Sequence, residues 1–306
     1  MRGGVLIIDK PAGISSAQVV GKVKKLLGAK KVGHAGTLDP FATGVLVCLV
    51  GQATRLAQFF LAGRKQYEAE LCLGVETDTQ DPTGQVTNRR AVPAFSEGDL
   101  QQVFERFSGV VEQVPPAYSA LKHHGVALYK LARKGRPVQK PARRVFIEAM
   151  HIRAVALPKV RFSVTCSAGT YIRTLCADIG HALGCGGHLN ALRRTMSSGF
   201  DIGETVSLKM LNDWAEDPQT PVALIPPGAA LRGMPALVAS RATAAKIRCG
   251  GVILVRDFTD LPPDATVMTN GDKGAYFKVL DHNGDLMAVV SAPLQGDRMT
   301  YCGVYV

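Results

Sequence analysis

Gly33-His34-Ala35-Gly36-Thr37-Leu38-Asp39-Pro40-Phe41-Ala42-Thr43-Gly44 packs three glycines, one histidine and one aspartate into a single short stretch. The apolar run Gly44 to Val50 follows it, and the β-branched run Val5-Leu6-Ile7-Ile8 lies upstream. Both runs suit buried strands, which makes the stretch a loop able to bring backbone close to a ligand while presenting a carboxylate. On composition alone, Asp39 before Pro40 equally suits an ordinary turn, and His34 a satisfied structural histidine.

Outward from this loop, strands and helices alternate. Pro11 and Gly13 break the first strand, and Ser15 or Ser16 can cap a helix with Val19, Val20, Val23, Leu26 and Leu27 on one face and Gly28 as its stop. Lys22, Lys24 and Lys25 fall on the other face, as either a solvated surface or an RNA contact. Tyr67, Ala69, Leu71 and Leu73 alternate with Glu68, Glu70 and Cys72 in the period of a half-buried strand. Ser96 caps a helix bearing Leu100, Val103, Phe104 and Phe107, strands return at Val145–Ala156 and Val160–Cys166, and Ile172, Leu175, Cys176, Ile179 and Leu183 form a helical stripe ending at Gly184. The main domain, residues 1–230, is therefore expected to be mixed α/β.

Beyond residue 230 helical periods fade. Short strands are expected at Val252–Val255, Tyr276–Val279, Leu286–Val290 and Tyr301–Val306, with Asn283-Gly284 signalling a type I′ hairpin. Residues 231–306 thus read as a small β-barrel-like domain, joined through Pro218, Pro221, Pro226, Pro227 and Gly228.

The net charge is +11, of which residues 1–230 carry +10 (28 Lys and Arg against 18 acids). Such an excess suggests a polyanionic partner, because cations at phosphates release condensed counterions. From Gln113 to Ile147 there is no acid, while Lys122, Lys130, Arg133, Lys134, Arg136, Lys140, Arg143 and Arg144 supply eight bases, with Tyr118 and Tyr129 among them. A solvated loop is one reading; an RNA-gripping arm, mobile without RNA, fits better. The apolar run after Met1 is too short for a signal-peptide core or a membrane span, so a soluble, cytoplasmic protein is expected. Seven cysteines include no Cys-x-x-Cys pair. His181, Cys185 and His188 could approach zinc, but they sit in a glycine-rich turn without a fourth ligand, and no metal is expected.

The opening stretch resembles the catalytic motif of the bacterial tRNA pseudouridine-55 synthases, the TruB family. Lys10-Pro11-Ala12-Gly13-Ile14-Ser15-Ser16 is similar to that family's N-terminal motif, and Pro115-Pro116-Ala117-Tyr118-Ser119-Ala120-Leu121-Lys122 to its central one. Gly169-Thr170-Tyr171-Ile172-Arg173-Thr174-Leu175 and Leu192-Arg193-Arg194-Thr195 resemble two more, all in the family's order. Two departures stand out: Ala168 where the family often carries Lys, and residues 231–306, which resemble the family's PUA-like RNA-binding domain only loosely.

The resemblance implies a mixed, largely antiparallel sheet of the pseudouridine synthase fold, isomerising uridine 55 in the T-loop of tRNA. It makes Asp39 the nucleophile, places Tyr67 and Tyr171 against the base, pairs Arg173 with Asp39, lines the pocket with Leu192 and has His34 hold the flipped nucleotide. Lys10, Tyr118, Lys122, Arg133, Arg144, Arg193 and Arg194 are expected to contact RNA. Asp81, in Thr77-Asp78-Thr79-Gln80-Asp81-Pro82-Thr83-Gly84, resembles a further family motif, but a turn of this composition needs no function to explain it, and it stays out of the catalytic set. The reaction changes no oxidation state and transfers no phosphoryl group, so no cofactor is expected. A monomer without an obligate protein partner is the default. The alternatives are a synthase for another RNA and a non-catalytic tRNA-folding chaperone. A glycosidase is disfavoured, because no second carboxylate is placed as a general acid.

Overall fold

The computed structural model describes residues 3–217, 224–258, 275–293 and 296–306. Unalternated apolar residues force β1 (Gly4–Lys10) to be covered on both faces. On one side, Leu6 and Ile8 pack under Val19 and Val23 of α1 (Ser16–Leu26); on the other, Val5 and Ile7 join a separate cluster. Ser15 starts α1 through a capping box with Gln18. There follow β2 (Val32–His34), β3 (Thr43–Val50), α2 (Ala57–Leu61), β4 (Lys65–Leu73), β5 (Val75–Thr77), β6 (Val86–Arg89), α3 (Glu97–Arg106) and β7 (Gly109–Gln113). The acid-free segment then folds into β8 (Lys122–His123), β9 (Val126–Ala127) and α4 (Leu128–Ala132), with Leu128 fully buried. The sheet resumes with β10 (Arg143–Ala156), β11 (Lys159–Cys166), α5 (Ile172–Ala182), β12 (Gly187–Ser197), β13 (Phe200–Asp201) and β14 (Val206–Ser207). The remaining elements are α6 (Leu208–Glu216), α7 (Pro227–Ala230), β15 (Ala236–Val238), α8 (Arg241–Arg248), β16 (Tyr276–Leu280), β17 (Leu286–Ser291) and β18 (Thr300–Val304).

The large sheet runs β14-β1-β3-β12-β4-β11-β10-β7, with β2 beside β3 and β13 beside β12. Along this path β1/β14 and β3/β12 are parallel and the other neighbours antiparallel, the mixed sheet that the resemblance implied. Helices α3 and α5 cover β4, β10, β11 and β12, with Phe104 and Phe162 packed edge to face at 5.3 Å. A second sheet, β15-β16-β17-β18, has its own core of Leu237, Ile247, Phe277 and Val290. Its Leu286 and Val289 also share a cluster with Val5, Val47 and Met234, which docks the tail on the back of β1 and β3.

Several expectations in the tail need correction. Val252–Val255 forms no strand: Leu254 makes one bridge to Arg298 and a 3-10 turn follows. Helix α8 was not expected. Gly284 has a positive φ (+82°) whereas Asn283 does not, and Gly284 N–H bonds the Asp281 carbonyl at 3.0 Å. The hairpin is therefore a type I turn closed by a left-handed glycine rather than type I′. Pro218 and Pro221 lie outside the described residues. His181 contacts Glu76, His188 Nδ1 lies 2.8 Å from the Val75 carbonyl and the buried Cys185 thiol faces Gly186, so the three do not converge. Among the described residues no helix is long and apolar enough to cross a membrane.

The β3/β12 junction requires glycine at one position. Gly44 has φ +100°, and a Cβ there would stand 2.2 Å from the Arg194 carbonyl oxygen. Gly44→Ala therefore combines a strained φ, costing about 1–3 kcal/mol, with a backbone clash. Urea unfolding should show a clear loss relative to Gly33→Ala, whose Cβ would meet a Thr54 methyl at 3.8 Å. Equal stability of the two variants would refute this account of the junction.

Candidate active site

Asp39 sits on a loop whose two sides are tied down separately. Ser16 Oγ accepts from the Leu38 N–H (2.8 Å) and donates to the Leu38 carbonyl (3.0 Å). Lys10 Nζ donates to the carbonyls of Ala42 (2.7 Å), Pro11 (2.8 Å) and Pro40 (3.1 Å), and Gly13 N–H also bonds Pro40. Arg194 donates from Nε to the Val45 carbonyl (2.7 Å) and from a terminal nitrogen to that of Gly36 (3.0 Å). This corrects two expectations: Lys10 and Arg194 are 0% and 1% exposed, so neither can reach a phosphate. Their charges hold the loop from inside. Arg193 is half-buried and grips Asp9 at 2.8 and 3.2 Å, which ties β12 to β1.

Arg173, in the first turn of α5, carries the carboxylate. Its Nε lies 2.9 Å from Asp39 Oδ2, off the line of the N–H, and a terminal nitrogen donates to Oδ1 at 3.3 Å. Its other donors reach the carbonyls of Thr79 (2.9 Å) and Tyr118 (2.8 Å), with Asp81 Oδ2 at 3.6 Å. Asp81 is in turn fixed by Thr79 Oγ1 (2.7 Å) and by the Thr83 N–H and hydroxyl (2.9 and 2.6 Å). Burial pushes the Asp39 carboxyl above its ordinary range, and Arg173 is the largest influence pulling it back.

Asp39 and Arg173 line a cleft of about 530 Å³ together with Tyr67, Tyr171, Leu192, Lys65, Arg143 and Ser119–Leu121 of the basic arm. Tyr67 is 8% exposed, with Arg194 beside its hydroxyl. His34 does not line this cleft: at the end of β2 it pairs with Cys48 of β3, its Nδ1 is buried with no partner among the described residues, and burial lowers its pKa. The Tyr118 hydroxyl is 3.4 Å from Asp78, while Lys122, Arg133 and Arg144 are exposed. Three contributors were not anticipated. Asp81 lies in a stretch that resembles a family motif but has the composition of an ordinary turn; its burial and its approach to Arg173 set it apart. Ser16 was read as one of two possible caps, yet its hydroxyl belongs to Leu38. Lys65 carries no local signal; it is anchored on the Leu61 and Gly63 carbonyls, and burial brings its pKa down to about 8.

A family model described as TruB family pseudouridylate synthase (N terminal domain) matches residues 24–172, and one described as tRNA pseudouridylate synthase B C-terminal domain matches residues 173–232. The tRNA pseudouridine synthase B of Geotalea uraniireducens is 41% identical over 297 residues, 96% of this chain and 93% of the relative. The chain belongs to the TruB family of pseudouridylate synthases. Another relative, the tRNA pseudouridine synthase B of Syntrophotalea carbinolica, is 48% identical over 234 residues, 76% of each chain. Among solved structures, a Cbf5-Nop10-Gar1 complex matches with TM-score 0.76 and 27% identity, covering 99% of this chain and 85% of that one. An H/ACA RNP bound to a substrate RNA containing 2′-deoxyuridine matches with TM-score 0.74 and 25% identity, over 99% and 85%.

A role for Asp39 as an ionised carboxylate would carry a pH signature. Because burial raises this carboxyl, activity should fall as pH drops through a value above the usual ~3.9. Arg173→Gln removes the main opposing influence, so its acid limb should lie at higher pH still. Profiles of kcat/KM against pH test this; superimposable acid limbs would mean that Arg173 does not hold the charge.

Proposed function

We propose that the chain converts uridine 55 in the T-loop of tRNA to pseudouridine, flipping the base into the cleft and using Asp39 as nucleophile. The observation that carries this reading is the pairing of buried Arg173 with half-buried Asp39 at the wall of a cleft flanked by Tyr67, Tyr171 and Leu192. The reaction breaks the bond from uracil N1 to ribose and rejoins the base through C5. It needs a nucleophile, a base out of its stack and a site that retains the cleaved base. Carboxylates act as nucleophiles at sugar-like centres. Extrusion costs a few kcal/mol, and an aromatic stack returns about 1–3 kcal/mol per base, so one tyrosine ring offsets much of it. No oxidation state changes, so the chemistry calls for neither a cofactor nor a metal.

In this reading residues 1–230 are the catalytic domain, with 113–147 as an RNA-gripping insertion, and 231–306 a PUA-like RNA-binding domain. The enzyme works in the cytoplasm as a monomer on the T stem-loop. Identity of 41–48% to enzymes named for tRNA, against 25–27% to the ribonucleoprotein enzymes, favours tRNA over a guide-directed substrate. A pure chaperone would have no use for a desolvated, Arg-paired carboxylate.

Tritium release from C5-labelled uridine in a tRNA transcript tests the reaction. Wild type should release it; Asp39→Asn should bind the RNA and release none. Tight binding without release by wild type would point to a chaperone or another RNA. The grip is tested by salt: replacing Lys122, Arg133 and Arg144 together with Gln should flatten the slope of log affinity against log salt by about 0.7–0.9 per lost phosphate contact. An unchanged slope would remove these residues from the RNA interface.

A further inference from the structure

Gln113 and Arg143 face each other across β7 and β10, at the points where the basic arm leaves and rejoins the sheet. Both reach Tyr171. Gln113 is 2% exposed; its Nε2 donates to the Tyr171 carbonyl (2.9 Å) and its Oε1 accepts from the Tyr171 N–H (2.7 Å). The Arg143 guanidinium lies 4.9 Å from the centroid of the Tyr171 ring and donates to the Gly169 carbonyl just before it. Tyr171 is the N-cap of α5 in extended conformation (φ −99°, ψ 110°), and among the described residues no side chain caps that helix.

We infer that Gln113 is a positioning residue: with Arg143 it clamps Tyr171 in the cleft, so that this wall of the base pocket depends on the paired roots of the arm. An extended residue presents its N–H and C=O side by side, and a carboxamide answers them with one acceptor and one donor. A methionine of similar length leaves both buried groups unmatched. Glutamate keeps the acceptor but turns a second oxygen toward the Tyr171 carbonyl, until protonation supplies an O–H donor. Geometry errors of about 1 Å near a reacting centre cost up to about a hundredfold in rate. The clamp thus places Tyr171 for chemistry, while the exposed arm cations remain free to grip RNA.

The consequence for turnover rests on the reaction proposed above, so the test carries one readout that is independent of it. Gln113→Met should lower the single-turnover rate about tenfold to a hundredfold while tRNA affinity changes less than about twofold. For Gln113→Glu, the rate relative to wild type should rise as pH falls, because the protonated carboxyl restores the donor; the ratio for Gln113→Met should stay flat. Dividing by wild type removes the titration of Asp39. With 3-fluorotyrosine incorporated and its signals assigned through Tyr171→Phe, the Tyr171 resonance of the free enzyme should move in Gln113→Met and return toward its wild-type position in Gln113→Glu at acid pH. An unmoved resonance, a pH-independent ratio for Gln113→Glu, or a loss seen in affinity rather than rate overturns the clamp. A moved resonance in an enzyme whose wild type releases no tritium upholds the clamp and overturns the assigned reaction.

Discussion

A carboxylate withdrawn from water is expensive to keep ionised, and removing its partner leaves an uncompensated charge that costs more than the pair gained. Asp39 is partly in that position, its side chain 31% exposed at the cleft and its carboxyl raised by burial, and Arg173 is the main influence that offsets the cost. The guanidinium is 4% exposed, and its partners come from separate segments: Asp39 on the loop, Thr79 and Asp81 on the turn after β5, and the Tyr118 carbonyl at the base of the arm. Each segment is fixed independently, Asp39 by Lys10 and Ser16 through its neighbours, Asp81 by Thr79 and Thr83. The orientation of one carboxylate is therefore the joint product of four pieces of chain. Lysine at position 173 would lose the fork that lets one side chain serve them all.

The surroundings of this pair are strongly cationic. Lys10, Lys65, Arg173 and Arg194 are all buried, and of these Arg173 and Lys10 act on Asp39 directly. Burial brings Lys10 and Lys65 down to about 8, with Asp39 pulling Lys10 the other way, so both keep their protons at neutral pH. Under the proposed reaction, an anionic nucleophile that meets a polyanion faces repulsion from every nearby phosphate. Cations fixed beneath the cleft counter it without being spent on phosphate contacts, because their donors are committed to backbone carbonyls. The same commitment makes them structural: together with the Ser16–Leu38 and Gly13–Pro40 hydrogen bonds, they hold the Asp39 loop against its strands.

How far the sequence discloses this depends on where the information lies. Apolar runs with no alternation marked β1 and β3 as doubly covered strands, and i, i+3, i+4 stripes marked α3 and α5, because burial pattern and periodicity are local. Helix α8 escaped because Arg241–Arg248 buries only a short face of Thr243, Ala244 and Ile247, too little for a period to stand out. The Asp39–Arg173 pair was legible only through resemblance, since the two residues are distant in sequence and neither carries a local mark of its pairing. Lys10 and Arg194 misled in a consistent way. A lysine at the end of an apolar strand and an arginine beside another read as surface charges, and only the arrangement of carbonyls in space shows that they are satisfied inside. Asp81 is the same case with the opposite sign.

Under the proposed reaction the cleft has to hold a base that is cut loose and then turned. Hydrogen bonds from the walls to fixed edges of the uracil would resist that rotation. The walls that flank Asp39 are instead the Tyr67 and Tyr171 rings with Leu192, Leu38 and Ile172, surfaces that attract the face of a planar base without preferring one rotation in its own plane. Arg173 holds the carboxylate, so the charge is fixed without a bond to the ring. The ion pair thus fixes the charge, while the aromatic and apolar surfaces retain the base as it turns.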